Sequence, residues 1–185
     1  MVSAYGAIAN GGRFVQPIFV SVVMDREGQI LERFEPSVEA EEALSRPLAL
    51  DLVNMMRGVI DEGTGTAVRD RYGITADVAG KTGTTQENTE GWFLIMHPQL
   101  VAGARVGFND TMTMGAWGAG ARSALPVVAQ VFQQALRNGW IDPRVEFDIP
   151  RPHVAPRREP ETNPRWVRPG KIFSGVLRGL RRMFQ

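Results

Sequence analysis

Apolar positions recur in two rhythms along this chain, and the changes between them mark its elements. Residues 3–10 read as the end of a helix, with Gly11-Gly12 able to take the left-handed backbone that stops it. From 13 to 24 β-branched and aromatic residues dominate, Asp25-Arg26-Glu27-Gly28 is a turn signal, and 29–34 follows as a second strand, so a β-hairpin is predicted. The clearest helix opens at Ser45-Arg46-Pro47. Ser45 can cap it, Pro47 suits its first turn, and Leu48, Leu52, Met56, Val59 and Ile60 recur at three and four residues. Gly63-Thr64-Gly65 ends it. Three apolar strands follow, at 76–83, 90–97 and 100–108, and the links at 86–89 and Pro98-Gln99 are short enough to make them antiparallel neighbours. Leu125, Val128, Val131, Phe132, Ala135 and Leu136 then draw a helical stripe over 122–138, closed by Asn138-Gly139.

Composition changes the picture mainly at the C-terminus. A chain of 185 residues with 43% hydrophobic content supports one domain with a real core. From residue 141 onward there are ten Lys/Arg against five Asp/Glu, whereas residues 1–140 carry eleven against fifteen. Seven of the twelve prolines fall between 143 and 169, so 141–169 is expected to be a linker after a domain of 1–140. Within the tail, 170–185, apolar Ile172, Phe173, Val176, Leu177 and Leu180 oppose Lys171, Arg178, Arg181 and Arg182. That pattern fits a basic amphipathic helix able to lie on an anionic membrane surface or dock on a partner.

Several chemistries find no support. There is no cysteine, and His97 and His153 are far apart, so structural zinc, haem attachment and disulfides have no basis and no cofactor is expected. His97 before Pro98 reads as a turn residue. Gly63-Thr64-Gly65-Thr66 invites a phosphate-loop reading but follows a helix and lacks Gly-Lys-Ser/Thr, and no nucleic acid partner is expected. No run of eighteen apolar residues exists, nor a basic-then-apolar leader pattern at the start.

The stretch that carries chemistry is Gly80-Lys81-Thr82-Gly83-Thr84-Thr85, on an expected strand shortly before Trp92-Phe93. Lys-Thr-Gly is one of three signatures of penicillin-binding proteins and serine β-lactamases. An extended segment of this kind offers backbone N–H and C=O groups, hydroxyl donors and one cation, which suits an extended peptide ending in a carboxylate. Gly83 lets a ligand come close. Alone, the tripeptide is a weak signal, because such a triplet recurs by chance, and the plain reading is a polar strand end.

Four further blocks accompany it: Ala4-Tyr5-Gly6-Ala7-Ile8-Ala9-Asn10-Gly11-Gly12, the run from Val59 to Ala67 containing Glu62-Gly63-Thr64-Gly65-Thr66, Gly91-Trp92-Phe93, and Val106-Gly107-Phe108-Asn109-Asp110. In this order they resemble the last part of the transpeptidase domain of class A, bifunctional penicillin-binding proteins, over residues 3 to 138. The resemblance implies an α+β fold of the penicillin-binding/β-lactamase type, an antiparallel sheet with helices packed on it, with the N-terminal half of the domain absent. It implies a substrate that is a peptidoglycan stem peptide ending in D-Ala-D-Ala, β-lactam binding by the complete domain, and a place on the extracytoplasmic face of the inner membrane.

By the same resemblance Lys81 supplies positive potential and a proton-network contact, Thr82 and Thr84 bind the terminal carboxylate, and the Thr84 N–H forms half of an oxyanion hole. Gly83 and Thr85 complete the substrate-binding set. None of Ser3, Ser21, Ser37, Ser45, Ser123 or Ser174 has a lysine three residues on, so this sequence contains no Ser-x-x-K nucleophile. Met1 almost abuts the first block, as expected for a fragmentary reading frame or an internal start. Two positions depart from the family's pattern: Glu90-Gly91 stands where Asp-x is usual before Trp-Phe, and Arg105 where a large aromatic is common. Two other readings remain open, a non-catalytic binding or scaffold module of the cell envelope and a protein related to serine β-lactamases.

Overall fold

The computed structural model describes residues 1–35, 39–110 and 112–151. The described residues belong to one compact body, Met1–Arg151. The Pro-rich run from 152 and the basic segment 170–185 lie outside the described residues, as does His153.

A three-stranded antiparallel sheet forms the centre, in the order β5 (Ala79–Thr84), β6 (Glu90–His97), β7 (Leu100–Gly107). Lys81 pairs with Leu94, Thr82 with Phe93 and Trp92 with Arg105. Because side chains alternate between faces, β6 sends Phe93 and Ile95 to one side and Leu94 and Met96 to the other. The first side is covered by α4 (Gly120–Arg137), through Leu125, Val128 and Phe132. On the second, α1 (Val2–Ala9) and α2 (Arg46–Asp61) bring Tyr5, Ile8, Val53 and Met56 against Ala79 and Met96. Burying both faces lets β6 read as a nearly continuous apolar run. The short helix α3 (Ala67–Asp70) adds Val68 to the α4 side.

Helix ends follow the glycine signals. Gly11 and Gly12 take φ of 64° and 92° after α1, and Gly139 takes 67° after α4, where the Trp140 N–H returns to the Ala135 carbonyl at 2.9 Å. Ser45 occupies the position before α2 in extended conformation but makes no capping hydrogen bond.

Four sequence expectations need correction. The segment 13–24 is not one arm of a hairpin. Only β2 (Val22–Met24) pairs with β3 (Ile30–Arg33), while β1 (Arg13–Val15) pairs with β4 (Ala40–Glu42). Pro17 between the two pieces lacks an N–H to donate to a ladder. The buried stripe of α2 is Ala49, Val53, Arg57 and Ile60, and Leu48 is exposed. In α4, Val131 also faces solvent. The expected linker is shorter at its start: Ile141 and Phe147 are buried, so the body runs on past residue 140.

His97 is the fourth. It is fully buried where a turn residue was expected, with its Nδ1 accepting the Gln99 N–H at 3.2 Å. No described helix is long and apolar enough to cross a membrane.

Candidate functional site

β5 lies at the edge of the sheet, and its free edge can be read from one hydrogen bond. The Thr85 N–H donates to the Glu90 carbonyl at 3.1 Å, so Thr85 faces β6. Backbone groups alternate along an extended strand, hence Thr84 and Thr82 direct their N–H and C=O away from β6. No described strand pairs with them there. This edge is the kind of surface to which an extended peptide can add.

The side chains of 81–85 divide by face. Lys81 is exposed, on the face that carries Leu94 and Trp92, and its Nζ curls over the edge to donate to the Thr82 carbonyl at 2.6 Å. It makes no ion pair among the described residues. Thr82 points to the other face, where its Oγ1 lies 2.7 Å from Thr64 Oγ1. The Thr84 hydroxyl accepts the Gly120 N–H at 3.2 Å, at the first residue of α4. A hydroxyl that accepts still has its own proton to donate, so Thr84 keeps an O–H for a ligand.

Thr85 is differently employed. Its Oγ1 lies 2.7 Å from Thr89 Oγ1 and accepts the Glu90 N–H at 2.8 Å, closing the β5–β6 connection. That connection holds Glu87 and Asn88 at φ of 59° and 56°, unusual for residues with side chains. It is clamped from outside by Thr113, whose hydroxyl donates to the Glu87 carbonyl at 2.6 Å, and by the Met114 N–H on the Asn88 carbonyl at 3.0 Å.

Residues 81–85 line a groove of about 370 Å³ together with Tyr5, Trp92 and Leu94. Its contents are one cation, hydroxyls, an open strand edge and an aromatic wall. Among the described residues no group of three or more His, Asp or Glu could hold a metal ion.

The two departures from the family pattern meet on the sheet. Arg105 pairs across the strands with Trp92, and its guanidinium forms an ion pair with the Glu90 carboxylate. The Trp92 indole N–H lies 3.4 Å from the second oxygen of the same carboxylate. The hydrogen bond from Arg105 holds Glu90 below the usual carboxylate range, and Glu90 in turn raises Arg105. An arginine here thus answers the longer glutamate and steadies the groove's aromatic wall.

Beneath β5 the structure holds a buried pair that no sequence signal singled out. Arg57 Nε donates to Asp77 Oδ1 at 2.9 Å and its NH2 to Oδ2 at 2.5 Å, with both residues 2% exposed. The Phe147 N–H donates to Asp77 Oδ2 at 2.9 Å, and Arg151 reaches Oδ1 at 3.2 Å. Arg57 also donates to the Ile149 carbonyl at 3.0 Å and lies over the Phe147 ring. Burial alone would raise the Asp77 pKa. The Arg57 hydrogen bonds, the Phe147 N–H and the charges of Arg57 and Arg151 outweigh that and hold it below its ordinary value. Segment 141–151 is thereby pinned two residues before β5 begins.

The family model described as the penicillin binding protein transpeptidase domain matches residues 1–133. Penicillin-binding protein 1A of Aquifex aeolicus is 32% identical over 163 residues, covering 87% of this chain and 21% of the relative. Among solved structures, penicillin-binding protein 1A from Haemophilus influenzae superposes with a TM-score of 0.67 at 23% identity, covering 82% of this chain and 27% of that one. The D,D-transpeptidase domain of a peptidoglycan glycosyltransferase from Eggerthella lenta gives 0.52 at 29% identity, covering 73% and 32%. The chain spans about a fifth of the length of the curated relatives it matches. By the family model, the antiparallel α+β architecture and the blocks that surround its Lys-Thr-Gly strand, the chain belongs to the penicillin-binding protein transpeptidase domain family.

Proposed function

We propose that this chain supplies the Lys-Thr-Gly wall of a peptidoglycan D,D-transpeptidase cleft, acting at the extracytoplasmic face of the cell membrane. The observation that carries the proposal is the free edge of β5. There the Thr84 N–H is open to a ligand, the Thr84 hydroxyl keeps a proton to donate, the Thr82 hydroxyl shares one with Thr64, and Lys81 stands alongside without an acidic partner among the described residues.

In this reading a stem peptide ending in D-Ala-D-Ala lies antiparallel to β5. Its terminal carboxylate is gripped by the hydroxyls of Thr82 and Thr84 under the positive potential of Lys81, with Gly83 allowing close approach. The scissile carbonyl oxygen accepts the Thr84 N–H. Thr85 shapes the end of the wall by closing the β5–β6 connection. A serine of a Ser-x-x-K segment, which this sequence does not contain, attacks the carbonyl carbon, and its lysine takes up the hydroxyl proton. The serine ester forms as the C–N bond to the last D-alanine breaks, the proton held by the lysine passes to the departing nitrogen, and that residue leaves as the free amine. An acceptor amine on a second stem peptide then displaces the serine. A β-lactam enters the same cleft and acylates the same serine.

Each oxyanion donor is worth roughly 3–4 kcal/mol, so half a hole without a nucleophile gives no acylation. The test is labelling with a fluorescent penicillin. The 185 residues alone give no band that survives SDS. Joined by polypeptide carrying Ser-x-x-K and Ser-x-Asn, the assembly labels, and Lys81→Ala abolishes the label. A covalent band on the isolated chain, or one indifferent to Lys81→Ala, would overturn the proposal.

A further inference from the structure

The Gly-Thr-Gly turn after α2 has so far only a structural part, the ending of a helix. Its threonine, however, meets Thr82 of the strand that lines the groove. Thr64 is exposed, and its hydroxyl oxygen lies 2.7 Å from that of Thr82. The turn is fastened in place: the Gly65 N–H donates to the Val59 carbonyl at 2.8 Å, and Gly65 is buried against Ile60 and Phe93. Thr64 therefore reaches Thr82 from a rigid support on the core below the sheet.

Two hydroxyls at this separation share one proton. One donates, the other accepts, and the one that accepts keeps an O–H aimed elsewhere. The Thr82 carbonyl already accepts from Lys81 Nζ at 2.6 Å, which brings the ammonium beside the pair. A cation next to an outward O–H selects for an anion, so the productive order has Thr64 donating to Thr82 and Thr82 donating to the ligand. Such a chain of donors polarises its last member and strengthens it toward a charged acceptor.

Building on the function proposed above, we infer that Thr64 is a positioning residue for recognition of the substrate's terminal carboxylate, fixing the Thr82 hydroxyl in its donating orientation. It makes the cleft select ligands with a free carboxylate over neutral ones. Thr64 does not itself touch the reacting atoms.

The test uses the full chain joined by polypeptide carrying Ser-x-x-K and Ser-x-Asn, with the complex verified by co-elution. Acylation rates are measured for a fluorescent penicillin and for its methyl ester, in wild type, Thr64→Val and Thr64→Ser. A hydrogen bond to a charged group sets the expected scale: Thr64→Val slows acylation by the free acid roughly ten- to hundredfold, leaves the ester nearly unchanged, and Thr64→Ser restores the acid. Thr64→Val matching wild type on the acid overturns the inference and leaves the proposed function intact. Equal losses on acid and ester also overturn it, because they mean that Thr64 serves only the shape of the turn. A co-eluting wild-type complex that takes up neither probe defeats the proposed function and Thr64's part with it.

Discussion

Asp77→Asn is the perturbation that the structure resolves most sharply. The Asp77 carboxylate accepts from Arg57 twice, from the Phe147 N–H and from Arg151, and with Arg57 it is buried on the α1–α2 side of the sheet. An asparagine of nearly the same shape keeps one acceptor oxygen but turns an NH2 toward the guanidinium. It leaves Arg57 charged, buried and unpaired. Breaking a buried pair from one side costs about 3–5 kcal/mol, against a total stability of about 5–15 kcal/mol for a domain. For a body of this size about 1 kcal/mol moves the melting midpoint by roughly 2–4 °C, so a drop of about 6–20 °C is expected. The assay is urea unfolding followed by circular dichroism, with hydrogen exchange read at the Phe147 amide, whose acceptor is the altered group. Exchange there should quicken more than at amides of α4. The double replacement Arg57→Met with Asp77→Leu should recover most of the loss, since apolar substitutes remove the stranded charge. A single replacement that costs less than about 1 kcal/mol, the ceiling for a surface pair, or a double replacement worse than the single, would refute the reasoning.

Other expectations follow from single contacts. A Cβ added at Gly120 would lie 2.1 Å from the Trp92 carbonyl oxygen and 2.5 Å from that of Gly83. Gly120→Ala therefore pushes α4 off the sheet, with a loss of at least the roughly 1–3 kcal/mol of an overpacked core, visible as a lower melting temperature. Burial holds His97 below its ordinary pKa, while the Val145 backbone, Asp77 and Asp142 pull the other way. The folded state resists a proton that the unfolded state accepts. Stability is then complete above the unfolded value of about 6.5 and declines as the pH falls toward the folded one. His97→Asn should flatten that part of the stability–pH curve, and an unchanged slope would contradict it. Arg105→Ala releases Glu90, whose titration by NMR should move up toward the ordinary carboxylate range.

The parts that were legible in the sequence are those set by local pattern. β6 carries a long apolar run joined by short links to β5 and β7, and α4 carries a stripe closed by Asn138-Gly139, so their type and order could be read directly. The partner of Arg13–Val15 could not. Ala40–Glu42 shows no alternation, and nothing local tells a three-residue strand which distant segment it meets. Arg57 was illegible for a different reason. Periodicity assigns a charged residue to solvent, and its burial is tolerable only because Asp77, twenty residues on in an irregular stretch, supplies the counter-charge. At the site, the chain's own sequence placed Lys81, Thr82, Gly83, Thr84 and Thr85 on one strand. It could not say that Thr82 meets Thr64, that Thr84 receives the start of α4, or that Glu90 and Arg105 answer each other. Those pairings exist only once the sheet register and two turns are set.

The central claim is that the open edge at 81–84 grips the carboxylate and the reacting carbonyl of the peptide being cross-linked. Its most direct test is a structure of the assembly after acylation by a β-lactam. The account predicts the acyl oxygen within about 2.7–3.1 Å of the Thr84 nitrogen, the spacing of an oxyanion donor, and the ligand carboxylate on the hydroxyls of Thr82 and Thr84 with Lys81 alongside. An acyl group whose carbonyl turns away from Thr84, with its carboxylate held by residues outside β5, would contradict it.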